Sequence, residues 1–350
     1  VADPRWALLL ADGKPGHENQ SLGVLPEGVD PWRFQVVYRS RAARLRAWLA
    51  ARWPIPCGAL AGGFPWRGVL RDADGLAAQV AEAGPPALVL SAGSGPAPVT
   101  LLAARHLRRP AVTCMTPSVG LSGFDLGLVP RHDRPPQDPR IVVTLGAPNR
   151  IDPAALAAAG EALKARHGLG AGPFIALLVG GDSARHRIPP ELGAAIQAAA
   201  LDLAASRKAA LLVTTSRRTR VETEDRMGLR ADETAWFCRG RTDPEPAVPG
   251  MLGLAELVIV TEDSVSMVSE AASAPARVLT VAVEAPGGPP RRHEAVLAAL
   301  AEGGYIRRTD AGGIVAAGQA LLDAPPPPVL DDTGRCREAV ARLVAHPEIS

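Results

Sequence analysis

Leu9-Leu10-Ala11-Asp12-Gly13-Lys14-Pro15-Gly16-His17-Glu18-Asn19-Gln20-Ser21 leads from an apolar stretch, Trp6–Leu10, through a turn rich in glycine and proline, and re-enters the fold at a helix N-terminus. A strand, a glycine-bearing loop and a helix in that order form the repeating unit of an α/β protein. The end of such a strand leaves backbone N–H groups unpaired and pointing outward, which suits an anionic or hydroxylated ligand. Lysine is scarce in this chain: Lys14, Lys164 and Lys208 are the three lysines among 38 basic residues, so Lys14 in this loop points to a binding role. An ordinary solvated turn is the alternative.

Working outward, the same alternation continues. Strands are expected near Phe34–Tyr38, Ala87–Ser91, Ala111–Met115, Leu126–Val129 and Ile141–Thr144, with helices near Arg41–Ala51, Gly75–Ala83 and Pro98–Leu107. The series then restarts, with strands near Phe174–Val179, Ala210–Thr214, Ala235–Cys238, Leu257–Val260 and Val278–Val283. Helices near Pro190–Ser206, Arg218–Met227, Val248–Leu254 and Ser264–Ser273 separate them. The expected fold class is therefore α/β, with two Rossmann-like doubly wound domains facing a cleft. The expected boundaries are 1–150 for a first domain, 151–172 for a linker helix and hinge, 173–325 for a second domain, and 326–350 for a tail helix packing back on the first domain.

At 350 residues the chain suits two cores rather than one. A net charge of +2 gives no global drive toward nucleic acid, which is not expected as a partner. The apolar runs are too short to cross a bilayer, and Leu8–Ala11 is too short for a signal peptide. Cys57, Cys114, Cys238 and Cys336 form no C-x-x-C pair and read as reduced thiols. These features lead to the expectation of a cytoplasmic protein. Residues 53–68 have aromatic and apolar residues without a helical or strand period, and their tryptophans beside arginines suit either a buried loop or peripheral contact at the inner face of the membrane.

Ligands in open α/β sheets bind at the carboxyl ends of the strands, and four loops there carry chemistry. In the first, His17 is the candidate general base and Asp12 holds the imidazole or serves instead, with Lys14, Gly16, Asn19 and Gln20 in the same stretch. Ser94, after another first-domain strand, would line the same cleft. In the second domain, Gly180, Gly181, Asp182, Ser183 and Arg187 follow one strand, and Thr215, Ser216, Arg217, Arg218 and Thr219 follow the next. Both loops suit a diphosphate, through close backbone approach, hydroxyls and guanidiniums. Glu262, Asp263, Ser264, Ser266 and Met267 follow a third strand and open a helix, with Glu270 nearly two turns in and able to accept from ribose hydroxyls. The loop from Phe237 to Gly240 follows another strand of the same domain. Solvated turns and plain N-caps are the alternatives for these loops. No dinucleotide fingerprint or P-loop motif follows the first strand of either half, and the histidines supply no metal motif, so neither a metal nor another cofactor is expected.

The set D-G-K-P-G-H-x-N-Q-S at 12–21, G-G-D-S at 180–183, T-S-R-R-T at 215–219 and T-x-D-S-x-S-M-x-S-E-A at 261–271 resembles the mitochondrial-fission Elm family across about residues 5 to 325. More distantly, the layout is similar to GT-B glycosyltransferases. That resemblance implies an acceptor on the N-terminal domain, beside Lys14, Gly16, Asn19, Gln20 and Ser94, and a nucleotide-sugar donor on the C-terminal one, with the loop from Phe237 to Gly240 meeting the base. It also matches Gly16-His17 with the first loop of the peptidoglycan N-acetylglucosaminyltransferase, and Ser266 and Glu270 with its donor helix. The expected function is a metal-independent inverting glycosyltransferase acting on a glycan or lipid-linked acceptor in bacterial envelope synthesis. A nucleotide-sugar 2-epimerase using Asp182, Glu262 and Asp263, and a non-catalytic membrane- or protein-binding adaptor, are the alternatives.

Overall fold

The computed structural model describes residues 6–53, 68–243 and 246–346. The chain divides into two compact units, Val1–Arg150 with Asp332–Ser350, and Ile151–Asp331. Most of the 53–68 segment singled out in the sequence, residues 54–67, lies outside the described residues. No helix among the described residues is long and apolar enough to cross a membrane.

The first unit contains strands β1 (Trp6–Ala11), β2 (Asp30–Gln35), β3 (Val89–Ala92), β4 (Ala111–Cys114), β5 (Leu126–Pro130) and β6 (Ile141–Thr144). Its first four helices are α1 (Pro15–Gly23), α2 (Arg41–Arg52), α3 (Ala73–Ala83) and α4 (Ala97–Leu107). The strands form one parallel sheet in the order β2-β1-β3-β4-β5-β6. Both faces are covered, which explains why β1 and β3 read as continuous apolar runs. Leu8 and Leu10 join a core with Ala47, Ala51 and Leu76 on one face, while Ala7 joins Leu90, Val112 and Leu128 on the other. That second face is closed by the final helix of the chain, Asp332–Ala345, through Cys336, Ala339 and Val340. The Asp332 carboxylate anchors this helix by accepting from the amides of Leu145 and Gly146, each at 2.8 Å.

Strand β2 departs from the sequence expectation of Phe34–Tyr38. The β-branched run Val36-Val37 suggested a later start, but pairing begins at Trp6 opposite Asp30 and includes Pro31. A proline is tolerated there because β2 is the sheet edge, and Trp32 packs edge-on against Trp6 with ring centroids 5.0 Å apart.

The second unit holds α5 (Pro153–His167), β7 (Phe174–Val179), α6 (Pro190–Ser206), β8 (Ala210–Thr215), α7 (Val221–Gly228), β9 (Trp236–Cys238), α8 (Ala247–Leu254) and β10 (Ala255–Thr261). It continues with α9 (Val265–Ala272), β11 (Arg277–Val281), α10 (Arg291–Glu302), β12 (Arg307–Thr309) and α11 (Ile314–Asp323), which makes Asp332–Ala345 α12. The parallel order is β12-β11-β10-β7-β8-β9. Helix α5, expected as a linker, belongs to this unit. It packs on α8 so closely that a Cβ on Gly253 would lie 2.0 Å from the Leu156 carbonyl oxygen.

In each sheet the chain leaves a central strand toward one edge and later returns to its other side. These topological switch points fall between β1 and β3, and between β7 and β10. Loops diverge there at the strands' carboxyl ends and leave a crevice for ligands.

Candidate active site

At the first switch point, the loop after β1 meets the loop after β3. His17 sits in the first turn of α1, which begins with Pro15 at a position where proline's missing N–H costs nothing. Its Nδ1 lies 3.2 and 3.1 Å from the two carboxylate oxygens of Asp12. Lys14 approaches the same carboxylate with its Nζ at 3.3 Å and with its backbone amide, also at 3.3 Å. Burial alone would raise the Asp12 carboxyl, but charge on His17 and Lys14 and the hydrogen bonds from Lys14 hold it below its ordinary value. Side-chain exposure is 13% for Asp12, 20% for His17 and 67% for Lys14, so the dyad is sheltered while the lysine reaches into solvent.

The β3 loop positions the imidazole by close approach. Gly93 has φ +80°, and a Cβ there would lie 2.7 Å from His17 Cε1. Gly95 lies against the Asp12 side chain, and its carbonyl accepts from the Tyr38 hydroxyl at 2.8 Å. Ser94 accepts from the Ser118 amide at 2.9 Å, which ties this loop to the one after β4 and leaves the serine hydroxyl proton available to a ligand. Of the other acceptor-side residues, Gly16 lies in the first turn beside His17, and Gln20, one turn on, shares its side of the helix. Asn19 falls on the opposite side and is not brought to the dyad. Sequence reasoning missed Tyr38 and the role of Gly93, although the S-A-G-S-G run at 91–95 was its signal.

At the second switch point the loops are bonded to one another. The Gly180 amide donates to Thr261 Oγ1 at 2.8 Å and the Gly181 amide to Asp263 Oδ2 at 3.0 Å. Asp182 N donates to the Arg218 carbonyl, and Ser183 N to that of His186. These four amides are therefore occupied by the protein's own acceptors. Both glycines are required by packing, since a Cβ on Gly180 would lie 2.0 Å from Asp263 and one on Gly181 2.1 Å from the Arg218 backbone.

The side chains tell the same story. Asp263 is buried, with Oδ1 accepting from Thr261 and Oδ2 also accepting from Arg218 at 2.8 Å. Asp182 accepts from the Ile188 amide and from Arg220, and Arg187 donates back to the carbonyls of Ser183 and His186. Thr215 bridges Glu224 and the Gly240 amide, while Ser216 and Thr219 close their own turn. Glu262 accepts from Arg308 and Thr280. Arg308 carries no signal in the sequence, nor does His293, whose ring lies tilted against His186 with centroids 4.6 Å apart and whose Nε2 donates to the Glu262 carbonyl. Such partners lie too far along the chain for spacing to reveal them. His186 is held below its usual value by burial, and then by the neighbouring His293.

What remains open to a ligand is the start of α9. Ser264 caps it by accepting from the Met267 amide, whereas the amides of Val265 and Ser266 have no protein acceptor among the described residues. Ser266 and Met267 are half-buried in that first turn. Glu270, further along the helix, is half-buried with no hydrogen-bond partner among the described residues, and burial pushes its carboxyl up to about 7. Arg217 is exposed and unpaired among the described residues. Phe237 lies on β9 with the Arg239 guanidinium 5.7 Å from its ring centroid. No group of three or more His, Cys, Asp or Glu gathers to hold a metal among the described residues.

Two parallel doubly wound units define a Rossmann-like, GT-B-like fold, and solved structures share it. The UDP-GlcNAc 2-epimerase of Methanocaldococcus jannaschii is 10% identical with a TM-score of 0.56, covering 97% of this chain and 99% of that one. The UDP-GlcNAc 2-epimerase of Neisseria meningitidis, solved bound to UDP-GlcNAc, is 12% identical with a TM-score of 0.51, covering 96% and 99%. The MnaA–UDP structure from S. aureus is also 12% identical at 0.51, covering 98% and 96%. At these identities the likeness establishes the fold. Comparison with curated proteins gave no match. Residues 15–344 match the family model described as Mitochondrial fission ELM1, and the chain belongs to that family.

Proposed function

We infer that this protein is an inverting glycosyltransferase that uses a nucleotide-sugar donor without a metal. The observation that carries the reading is the Asp12–His17 pair at 3.1–3.2 Å. Asp12 accepts from Nδ1–H, which fixes the tautomer and leaves Nε2 to take a proton. In the reaction, Nε2 removes the proton of an acceptor hydroxyl as its oxygen bonds to the donor's anomeric carbon. The bond from that carbon to the diphosphate breaks on the opposite face, and the nucleoside diphosphate departs with its electron pair.

The leaving diphosphate is assigned to the free amides of Val265 and Ser266, the hydroxyls of Ser264 and Ser266, and Arg217, where the N-terminal end of α9 favours negative charge. Glu270 would receive the ribose hydroxyls, and the Phe237–Gly240 loop the base. Bacterial envelope glycans or their lipid-linked precursors are the proposed acceptors, which would place the enzyme in the cytoplasm. The 2-epimerase alternative needs carboxylates free to move protons on the sugar, but Asp182, Glu262 and Asp263 are each occupied by arginine or backbone donors.

A panel of nucleoside diphosphates and nucleotide sugars should include one that raises the melting temperature. His17→Ala should retain that shift while losing turnover. Stabilisation by none of them would sink the reading, and deuterium uptake at the sugar C2 from heavy water, without any acceptor, would convert it to epimerisation.

A further inference from the structure

Helix α2 has two faces of different character. Ala43, Ala47 and Ala51 turn inward, each 1% exposed. The 100° step between helical residues sets Leu45 and Leu49 opposite that alanine seam, and Trp53 continues the row just past the helix end. Leu45 and Trp53 are each 58% exposed and Leu49 is 40% exposed. They make up three of the eight large exposed hydrophobic residues among the described residues, gathered in one row rather than scattered.

Guanidiniums border this row. Arg41 and Arg52 stand near its two ends, and the same helical step puts Arg44 and Arg46 on opposite flanks. None of the four is in an ion pair or hydrogen bond among the described residues, although Arg52 lies 5.4 Å from the Trp48 ring centroid. The sequence has no Asp or Glu between Asp30 and Asp72 to neutralise them.

An apolar row ringed by unpaired positive charge calls for a partner that is greasy in its interior and anionic at its surface. A second copy of this face would set like charges against one another. We propose that the outer face of α2 docks on an anionic phospholipid bilayer. The helix lies in the interface plane, with Leu45, Leu49 and Trp53 below the headgroups and the arginines among the phosphates. This inference uses none of the residues assigned to sugar transfer and stands or falls without that reading.

The test is flotation of the full chain with vesicles of phosphatidylcholine alone or mixed with phosphatidylglycerol. Binding is expected on the anionic vesicles and should weaken with salt. L45Q/L49Q should cut partitioning by about tenfold or more, and R41Q/R46Q by about fivefold per guanidinium on anionic vesicles alone. Both pairs lie on the exposed face, so unchanged melting temperatures would exclude unfolding as the cause. Absence of binding to anionic vesicles overturns the proposal, as does binding undiminished in both variants. A wild-type dimer that becomes monomeric in L45Q/L49Q, with no lipid binding, overturns it in favour of self-association.

Discussion

At the β1/β3 switch point the charged groups of Asp12, Lys14 and His17 are bonded mainly to one another, and a glycine backbone frames them. At the β7/β10 switch point the charged groups are bonded to the framework itself, with Asp263 buried beneath Arg218 and the Gly181 amide. The same topological position has therefore been used for two purposes. In the first unit the charged groups pair with one another, and Lys14 reaches into solvent. In the second, charge locks the loops, and the groups left for a ligand are backbone amides, hydroxyls, the exposed Arg217 and one half-buried, unpartnered carboxyl. Removing a carboxylate should therefore damage chemistry in the first unit and stability in the second.

The largest effect is expected from Asp12→Asn. An amide can present its oxygen to the imidazole but removes the negative charge that favours a protonated ring, and it can hold the wrong tautomer. Turnover should fall by about 10³- to 10⁴-fold while nucleotide binding by calorimetry is unchanged. A fall in nucleotide affinity with turnover intact would reverse the assignment of the two units.

Asp263→Ala should show the opposite profile. It leaves the Gly181 amide and part of Arg218 without an acceptor in a buried position, costing about 3 kcal/mol in urea unfolding. Asp12→Ala, which removes an ion pair whose Lys14 partner is open to water, should cost less than about 1 kcal/mol in the same assay. Equal losses at the two sites would abolish the contrast between them.

Glu270 sharpens the comparison through pH. Its carboxyl is pushed up to about 7 from an ordinary 4.5. Between those values the folded state holds a proton that the unfolded state has released, so stability declines as pH rises through this window. The decline should be about 2 kcal/mol, given a carboxyl that is only half-buried. Glu270→Gln should flatten the profile over this range, and a wild-type profile already flat there would show that the carboxyl ionises freely.

Much of the fold was legible because buried parallel strands must be apolar along their whole length. Phe174–Val179 and Pro190–Ser206 form elements with the bounds their sequences suggest. The edge strand β2 was misplaced because an edge can include a proline that a central strand would exclude. The C-terminal pieces α10, β12 and α11 escaped because short strands and glycine turns break the pattern there. At the site, the loops were legible and the bonding within them was not. A run such as G-G-D-S looks alike whether its amides face a phosphate or an aspartate 82 residues away. That distinction depends on tertiary partners such as Arg218 and Thr261.

Gly93→Ala tests whether the first site is framed by backbone, as its geometry indicates. The added methyl would lie 2.7 Å from the His17 ring at a φ of +80°. The expected cost is about 1–2 kcal/mol of stability, with a loss of turnover larger than that figure alone explains, because the ring must rotate away from Asp12. Unchanged turnover would mean that the imidazole's position is not held by this loop.

The smallest effect is the acid limb of the Asp12 carboxyl. Charge on His17 and Lys14 holds it below 3.8 in the folded state. The ionised form therefore contributes stability that is fully present above the unfolded value and disappears as pH falls through the lower folded one. The contribution should be less than about 1 kcal/mol, because Lys14 is well exposed and its charge is screened. Unfolding of wild type and Asp12→Asn compared from pH 6 to below about pH 4 isolates it, since the difference between them should shrink toward the acid end. A difference that grows as pH falls would mean that the carboxyl is raised by burial rather than lowered by its cationic neighbours, and the first site would then resemble the half-buried carboxyl of Glu270 in the second.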